Sequence, residues 1–226
     1  MAILPPAARS WIDTALNLAF PWPESGEAPP TPIEPPFCER CGYPYEHLPD
    51  LPFTCSSCAG REWHFAYARA AFLTEGQALE AVVRFKYGHE FFRLAQLTGW
   101  LVGAFDQHMA GEHWDGLVPV PLFHRHQRER GFNQAMELAR GLGRARGIPV
   151  KDCLVRVRET PAQVGLERGA RWKNMQNAFR LKGGFDVNGR NLLLIDDVFT
   201  TGATTNACAR VLAGAARLAV LTVSRS

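Results

Sequence analysis

Asp196 and Asp197 stand side by side at the end of an apolar run, in the stretch Leu-Leu-Leu-Ile-Asp-Asp-Val-Phe-Thr-Thr-Gly-Ala-Thr, residues 192–204. A turn of small residues follows, made of Thr200, Thr201, Gly202, Ala203 and Thr204, and it leads into an Ala-rich helical stretch. Backbone N–H groups at the start of a helix, together with threonine hydroxyls, make a cradle for an anion. Gly202 lets the backbone come close to a ligand. The two carboxylates would repel a phosphate at the same spot, but they precede the turn. There they can accept hydrogen bonds from vicinal hydroxyls, and a sugar 5-phosphate with a free 2,3-diol satisfies both halves. A divalent cation bridging that sugar to a pyrophosphate would also suit nearby carboxylates. Two plainer readings compete. The acidic run resembles a Walker B strand, but no Gly-x-x-x-x-Gly-Lys-Ser/Thr occurs anywhere in the chain. The acidic pair can also be a strand end that merely caps a helix.

A second constellation is Cys38-x-x-Cys41 and Cys55-x-x-Cys58, with thirteen residues between the pairs. Each pair can form a knuckle that turns two thiolates inward, and two knuckles complete a tetrahedral all-thiolate site. Such a site is closed and therefore structural, and Zn²⁺ is the expected ion. Disulfides are the alternative. No secretory signal is evident, so a reducing compartment is expected, and that favours metal. A module this small and polar depends on its ion to fold. Cys153 and Cys208 read as core residues.

The elements that must position these groups follow from periodicity. Residues 1–20 place Trp11, Ile12, Ala15, Leu16 and Ala19 at helical spacing. They read as an amphipathic helix packed on the protein, with a peripheral membrane anchor as the alternative. Arg9 and Asp13 interrupt the run, and no basic segment precedes it, so it is not read as a signal peptide. Residues 21–36 carry seven prolines and read as an extended linker. Residues 37–62 form the cysteine module, and 63–226 form one α/β domain. Within that domain a strand rich in aromatics is followed by two helical stretches, 75–88 and 90–109. A short buried strand covers 117–120. A helix then runs from an Asn133 cap to a Gly147 stop. The run at 191–196 is too continuously apolar to have a wet face. A helix and a last strand, 217–223, complete the pattern. Strand–helix–strand alternation with short links predicts a mostly parallel sheet with helices on both faces. Lys86 and His89 read either as additional polar candidates near the entrance to the core or as solvated helix-end residues. No apolar run reaches the ~20 residues of a membrane span.

Net charge is +3, but it is segregated. Residues 1–116 carry 7 Lys/Arg against 14 Asp/Glu, residues 117–182 carry 14 against 5, and residues 183–226 carry 4 against 3. The basic middle segment either faces an anionic partner, polyphosphate or nucleic acid, or is a solvated face.

The 192–204 stretch resembles the 5-phosphoribosyl-1-pyrophosphate (PRPP) motif of type I phosphoribosyltransferases. Residues 118–135, residues 158–179, Arg-Phe-Lys-Tyr-Gly at 84–88 and the paired cysteines together resemble the ComF family of competence proteins. This likeness covers about residues 37–223. The proline-rich linker and the polar ending Thr-Val-Ser-Arg-Ser depart from the usual pattern. The resemblance implies a type I phosphoribosyltransferase fold preceded by a small four-cysteine zinc ribbon. It implies that Asp196 and Asp197 hold ribose hydroxyls and that residues 200–204 hold the 5-phosphate. Arg125, Arg128 and Arg130, in a loop after the 117–120 strand, are the implied contacts to pyrophosphate, for which the guanidinium fork is suited. Thr160, Gln163, Arg168, Arg171 and Asn174 match a mobile basic loop that closes over the reaction. Structural Zn²⁺, and Mg²⁺ with PRPP, are the implied cofactors. No acceptor pocket is legible. The implied role is in natural competence and the handling of incoming single-stranded DNA, in the cytoplasm or peripheral to the inner face of the membrane, beside a helicase and other uptake proteins. Three functions follow as expectations: PRPP-dependent pentosyl transfer, a non-catalytic single-strand-binding adaptor, and a nucleotide-metabolism transferase unrelated to transformation.

Overall fold

The computed structural model describes residues 30–45, 53–88, 90–159, 175 and 177–226. The amphipathic stretch at 1–20, most of the proline-rich linker, His89, and Thr160, Gln163, Arg168, Arg171 and Asn174 lie outside the described residues.

Four parallel strands form the central sheet, in the order β1–β6–β5–β2. They are β1 (Ala68–Leu73), β2 (Gly116–Pro119), β5 (Asn191–Phe199) and β6 (Arg217–Arg225). Helices α1 (Gly76–Tyr87) and α2 (Arg93–His108) connect β1 to β2. Helices α3 (His124–Arg130) and α4 (Gln134–Arg146) follow β2. Strands β3 (Leu154–Arg156) and β4 (Phe179–Leu181) form a separate antiparallel pair. Helix α5 (Ala203–Val211) links β5 to β6.

A continuously apolar strand needs a hydrophobic layer on each face, and strand parity shows how each layer is filled. Leu192 and Leu194 of β5 and Leu218 and Val220 of β6 pack with α5, Cys153, Cys208 and the four paired cysteines. Leu193 and Ile195, with Ala219, Leu221 and Val223, pack on the other side against α1, α2 and α4. The sheet is therefore covered on both faces, as the periodicity predicts. The cysteine module belongs to the α5 layer and shares its core.

Local signals set the helix boundaries. Asn133 caps α4, its Oδ1 accepting from the Ala135 N–H at 3.0 Å, and Gly147 ends it at φ +70°. The Asn133 amide also donates to the Val120 carbonyl at 3.1 Å, which ties the end of β2 to the start of α4. The arginines at 125, 128 and 130 differ from expectation, for they lie on helix α3 rather than in a loop. No side chain of α3 is buried, so no apolar stripe announces it. It is held instead by the i,i+4 pair Arg125–Glu129 at 2.9 Å and by Gly131, which ends it at φ +81°.

The outer edge of β1 is covered rather than bare. Ile33 N–H donates to the Ala71 carbonyl at 3.2 Å, Leu73 N–H to that of Thr31 at 3.3 Å, and Ala68 N–H to that of Arg40 at 2.8 Å. Among the described residues no helix is long and apolar enough to cross a membrane.

Candidate functional site

Strand β2 stops at Pro119, paired with Ile195, and Val120 adds one more hydrogen bond to the Ile195 carbonyl at 2.9 Å. From Asp196 onward β5 projects beyond β2 at the carboxyl end of the sheet. Open α/β sheets bind ligands there.

Parity sends the two carboxylates to opposite faces of β5. Asp197 is buried on the α1 side, where the Lys86 ammonium meets its Oδ2 at 2.9 Å. Burial disfavours the Lys86 charge, but Asp197, with Asp196 behind it, outweighs burial and holds its pKa above the ordinary value. Of the two readings the sequence offers for Lys86, the solvated helix-end residue is ruled out by this contact. Asp196 is half-buried on the α5 side, and its Oδ1 accepts the Asp197 N–H at 2.9 Å. Burial, and then the neighbouring Asp197 charge, push its pKa up to about 8.

The turn has the shape its residues dictate. Gly202 adopts φ +75° and serves as the N-cap of α5. A Cβ there would lie 2.6 Å from the Phe199 ring and 2.7 Å from the Trp63 ring, so both φ and space demand glycine. Thr201 Oγ1 accepts from the Ala203 N–H at 3.4 Å, and Thr205 Oγ1 donates to the Gly202 carbonyl at 3.1 Å. The first N–H groups of α5 have no partners within the helix and point out of its end. Thr200 is exposed, and Thr201 and Thr204 are half-buried.

Of the three arginines, Arg125 is exposed and bonds Glu129 and also Glu159, the latter at 3.2 Å. Arg130 donates to the Tyr87 hydroxyl at 3.0 Å and lies over its ring at 4.7 Å, beside the Lys86 end of α1. Arg128 is exposed. The structure brings Lys86, Asp197 and Arg130 toward one another. Arg125 is held in ion pairs of its own.

The four cysteine sulfurs lie within 4.8 Å of one another and all four side chains are buried. Tetrahedral bonds of about 2.3 Å to one zinc require sulfur separations of ~3.8 Å, and Cys41 and Cys55 are 3.8 Å apart. The donor set therefore fits a metal ion, and the cluster can hold one. Cys55 N–H donates to Cys38 Sγ at 3.3 Å, as a thiolate ligand requires. Hydrogen bonding from Cys41 lowers the Cys38 pKa to about 4, and the same bond raises that of Cys41.

Sequence reasoning missed the residues that join this module to the turn. Asn206 in α5 clasps the segment leaving the module: its amide donates to the Glu62 carbonyl at 3.1 Å and its Oδ1 accepts the His64 N–H at 2.8 Å. Trp63 donates to the Cys58 carbonyl at 3.2 Å while its ring covers Gly202. Arg225 is buried and bonds Cys41 Sγ and the turn together. One signal was available for Arg225: a cation at the end of a mainly apolar strand needs a partner wherever that end is buried.

Fold and site together define a two-sided α/β protein with a parallel sheet, carrying a four-cysteine module able to hold a metal ion against the turn that follows its central acidic pair. No protein-family model matches the chain. It is 31% identical over 186 residues to Competence protein F of Haemophilus influenzae, covering 78% of each chain. It is 31% identical over 195 residues to DNA utilization protein YhgH of Salmonella typhimurium, covering 84% of each. It is 27% identical over 183 residues to Competence protein ComFC of Bacillus subtilis, covering 77% of this chain and 70% of that one. The chain belongs to the ComF family.

Proposed function

We propose that this protein binds a phosphoribosyl ligand, PRPP with Mg²⁺, at the carboxyl end of β5 and serves in the handling of DNA during competence. One observation carries the ligand reading. An acidic pair runs directly into a glycine-capped helix start, and the Lys86 ammonium is held 2.9 Å from one of the acids. The 5-phosphate sits on the amides of 201–204 and the hydroxyls of Thr200, Thr201 and Thr204. The ribose diol lies across the strand toward Asp196 and Asp197. Asp196 and Asp197 would hold Mg²⁺ near the ligand, where it would supply positive charge against the pyrophosphate. Lys86 then exchanges Asp197 for the pyrophosphate, with Arg130 and Arg128 nearby on α3. Among the described residues no side chain at the site is positioned as a general base. Transfer of the ribosyl group would rest on positioning and electrostatics.

Calorimetry with PRPP and Mg²⁺ tests the reading. Binding by the wild type, abolished in Asp196→Asn/Asp197→Asn, supports it, and equal binding by both refutes it. Pyrophosphate release over a panel of bases and nucleotides then separates turnover from binding alone.

The structural ion of the cysteine cluster is Zn²⁺ in this reading, since four buried thiolates select it. The competence role rests on the relatives named for competence and DNA utilization, and they weigh against a transferase confined to nucleotide metabolism. An adaptor reading has support of its own: the +9 charge of residues 117–182 and the exposed Arg125 and Arg128 of α3. Single-strand affinity should then fall steeply with salt and weaken in Arg125→Ala and Arg128→Ala. Salt-indifferent affinity overturns the adaptor reading.

A further inference from the structure

Arg225 is the last residue of β6 and is only 7% exposed. Its backbone is fixed independently of its side chain. It pairs in register with Phe199, and its carbonyl accepts the Thr74 N–H at 2.8 Å. The guanidinium reaches in two directions. One terminal nitrogen donates to Cys41 Sγ at 3.3 Å. The other donates to the carbonyls of Thr200 at 3.0 Å and Phe199 at 3.4 Å, the residues that open the phosphate turn. The group lies between the ring of Tyr43, from the cysteine module, at 4.9 Å and that of Phe199 at 5.1 Å.

The charge at that place has a physical reason. Four thiolates around a divalent cation leave a net charge of −2, and a buried charge requires a hydrogen-bonded counter-ion. A guanidinium serves better than an ammonium here, since a rigid fork can address a sulfur and two carbonyls at once. The Phe199 carbonyl already accepts the Ser226 N–H at 3.1 Å, but that of Thr200 lies beyond the strand ladder and needs a donor. One side chain meets both needs.

We infer that Arg225 couples the metal centre to the phosphate turn, so that loading of the cysteine cluster and order in residues 199–204 stabilise each other. The inference rests on the zinc reading above and is independent of whether PRPP binds. Without the ion the Cys41 sulfur is no longer fixed by coordination, and Arg225 loses an ordered partner on that side. The turn then loses a brace. By reciprocity, a ligand that orders the turn tightens metal binding. Arg225 is thus a positioning residue for both sites.

The test uses the full-length protein with three readouts. Zinc content of the purified wild type is measured first, and protein that contains none overturns the zinc reading and this inference with it. Zinc transfer to a chromogenic chelator is then timed for wild type, Arg225→Lys and Arg225→Ala. Release should accelerate about 10–100-fold in Arg225→Ala, the scale on which partners of metal ligands act. Arg225→Lys, which keeps the charge and loses the fork, should fall between. Last, amide exchange is followed by mass spectrometry in the peptide spanning residues 199–206. Exchange there should quicken in chelator-treated wild type and in zinc-loaded Arg225→Lys, while the peptide spanning 116–120 stays protected and reports an intact fold. Wild-type release rates in both variants, or a turn whose exchange ignores zinc removal, refute the coupling. Failure of PRPP to bind leaves all three measurements standing.

Discussion

Asparagine at position 196 and asparagine at position 197 should move stability in opposite directions, although the residues are neighbours and the substitutions identical. Asp196 carries a pKa raised to about 8 by burial and by the Asp197 charge. A carboxyl that holds its proton more tightly when folded stabilises the fold at low pH. That contribution is lost as pH rises from the unfolded value near 4 through the folded value near 8. Taken in full, the difference is roughly 5.5 kcal/mol at 1.36 kcal/mol per pH unit. Solvent reaches this half-buried side chain, and ~1–2 kcal/mol is the magnitude that survives screening. Asp196→Asn removes the charge and keeps an oxygen for the Asp197 N–H. It should therefore raise the melting temperature by about 3–6 °C at pH 8.5, at roughly 2–4 °C per kcal/mol for a chain of this size. The gain should shrink toward zero as pH falls to 4.5. Asp197→Asn strips the carboxylate from a largely buried Lys86 ammonium. It should cost about 3 kcal/mol, the lower end for breaking a buried pair. Thermal melts followed by circular dichroism from pH 4.5 to 8.5 decide the matter. Shifts of the same sign, or an Asp196→Asn gain that is equal at both ends of the range, would refute the electrostatic account of the acidic pair.

Gly202→Ala should cost about 2–3 kcal/mol, since its Cβ meets the Phe199 and Trp63 rings at a positive φ. Urea unfolding and PRPP calorimetry on the same samples read both consequences. Cys55→Ser removes one of four ligands, and metal per chain, measured by atomic emission, should fall well below that of the wild type, with early loss of the module on heating. Asn206→Ala breaks two hydrogen bonds between α5 and the segment leaving the module. A cost of about 2 kcal/mol is expected, with faster tryptic cleavage after Arg61 as the local sign. Unchanged cleavage would show that the clasp is dispensable.

The local parts of this protein were legible in its sequence because they depend on a few consecutive residues. Four apolar residues before Asp196 announce a buried strand, and Gly202 with its threonines announces the turn. Cys-x-x-Cys spacing sets the knuckles, and Asn133 and Gly147 punctuate α4 as written. Helix α3 escaped detection because it buries nothing, and amphipathic periodicity was the signal in use. What only the tertiary structure decided is which distant groups meet. Strand parity placed the two acids on opposite faces, but packing of α1 chose Lys86, 111 positions earlier, as the partner of Asp197. Likewise Arg225 and Cys41, separated by 184 positions, share a hydrogen bond because β6 lies between β1 and β5, beside the module that lines β1. Such pairings obey no sequence period: they arise from how a sheet orders its strands, and buried charge then selects the residues that can survive the encounter.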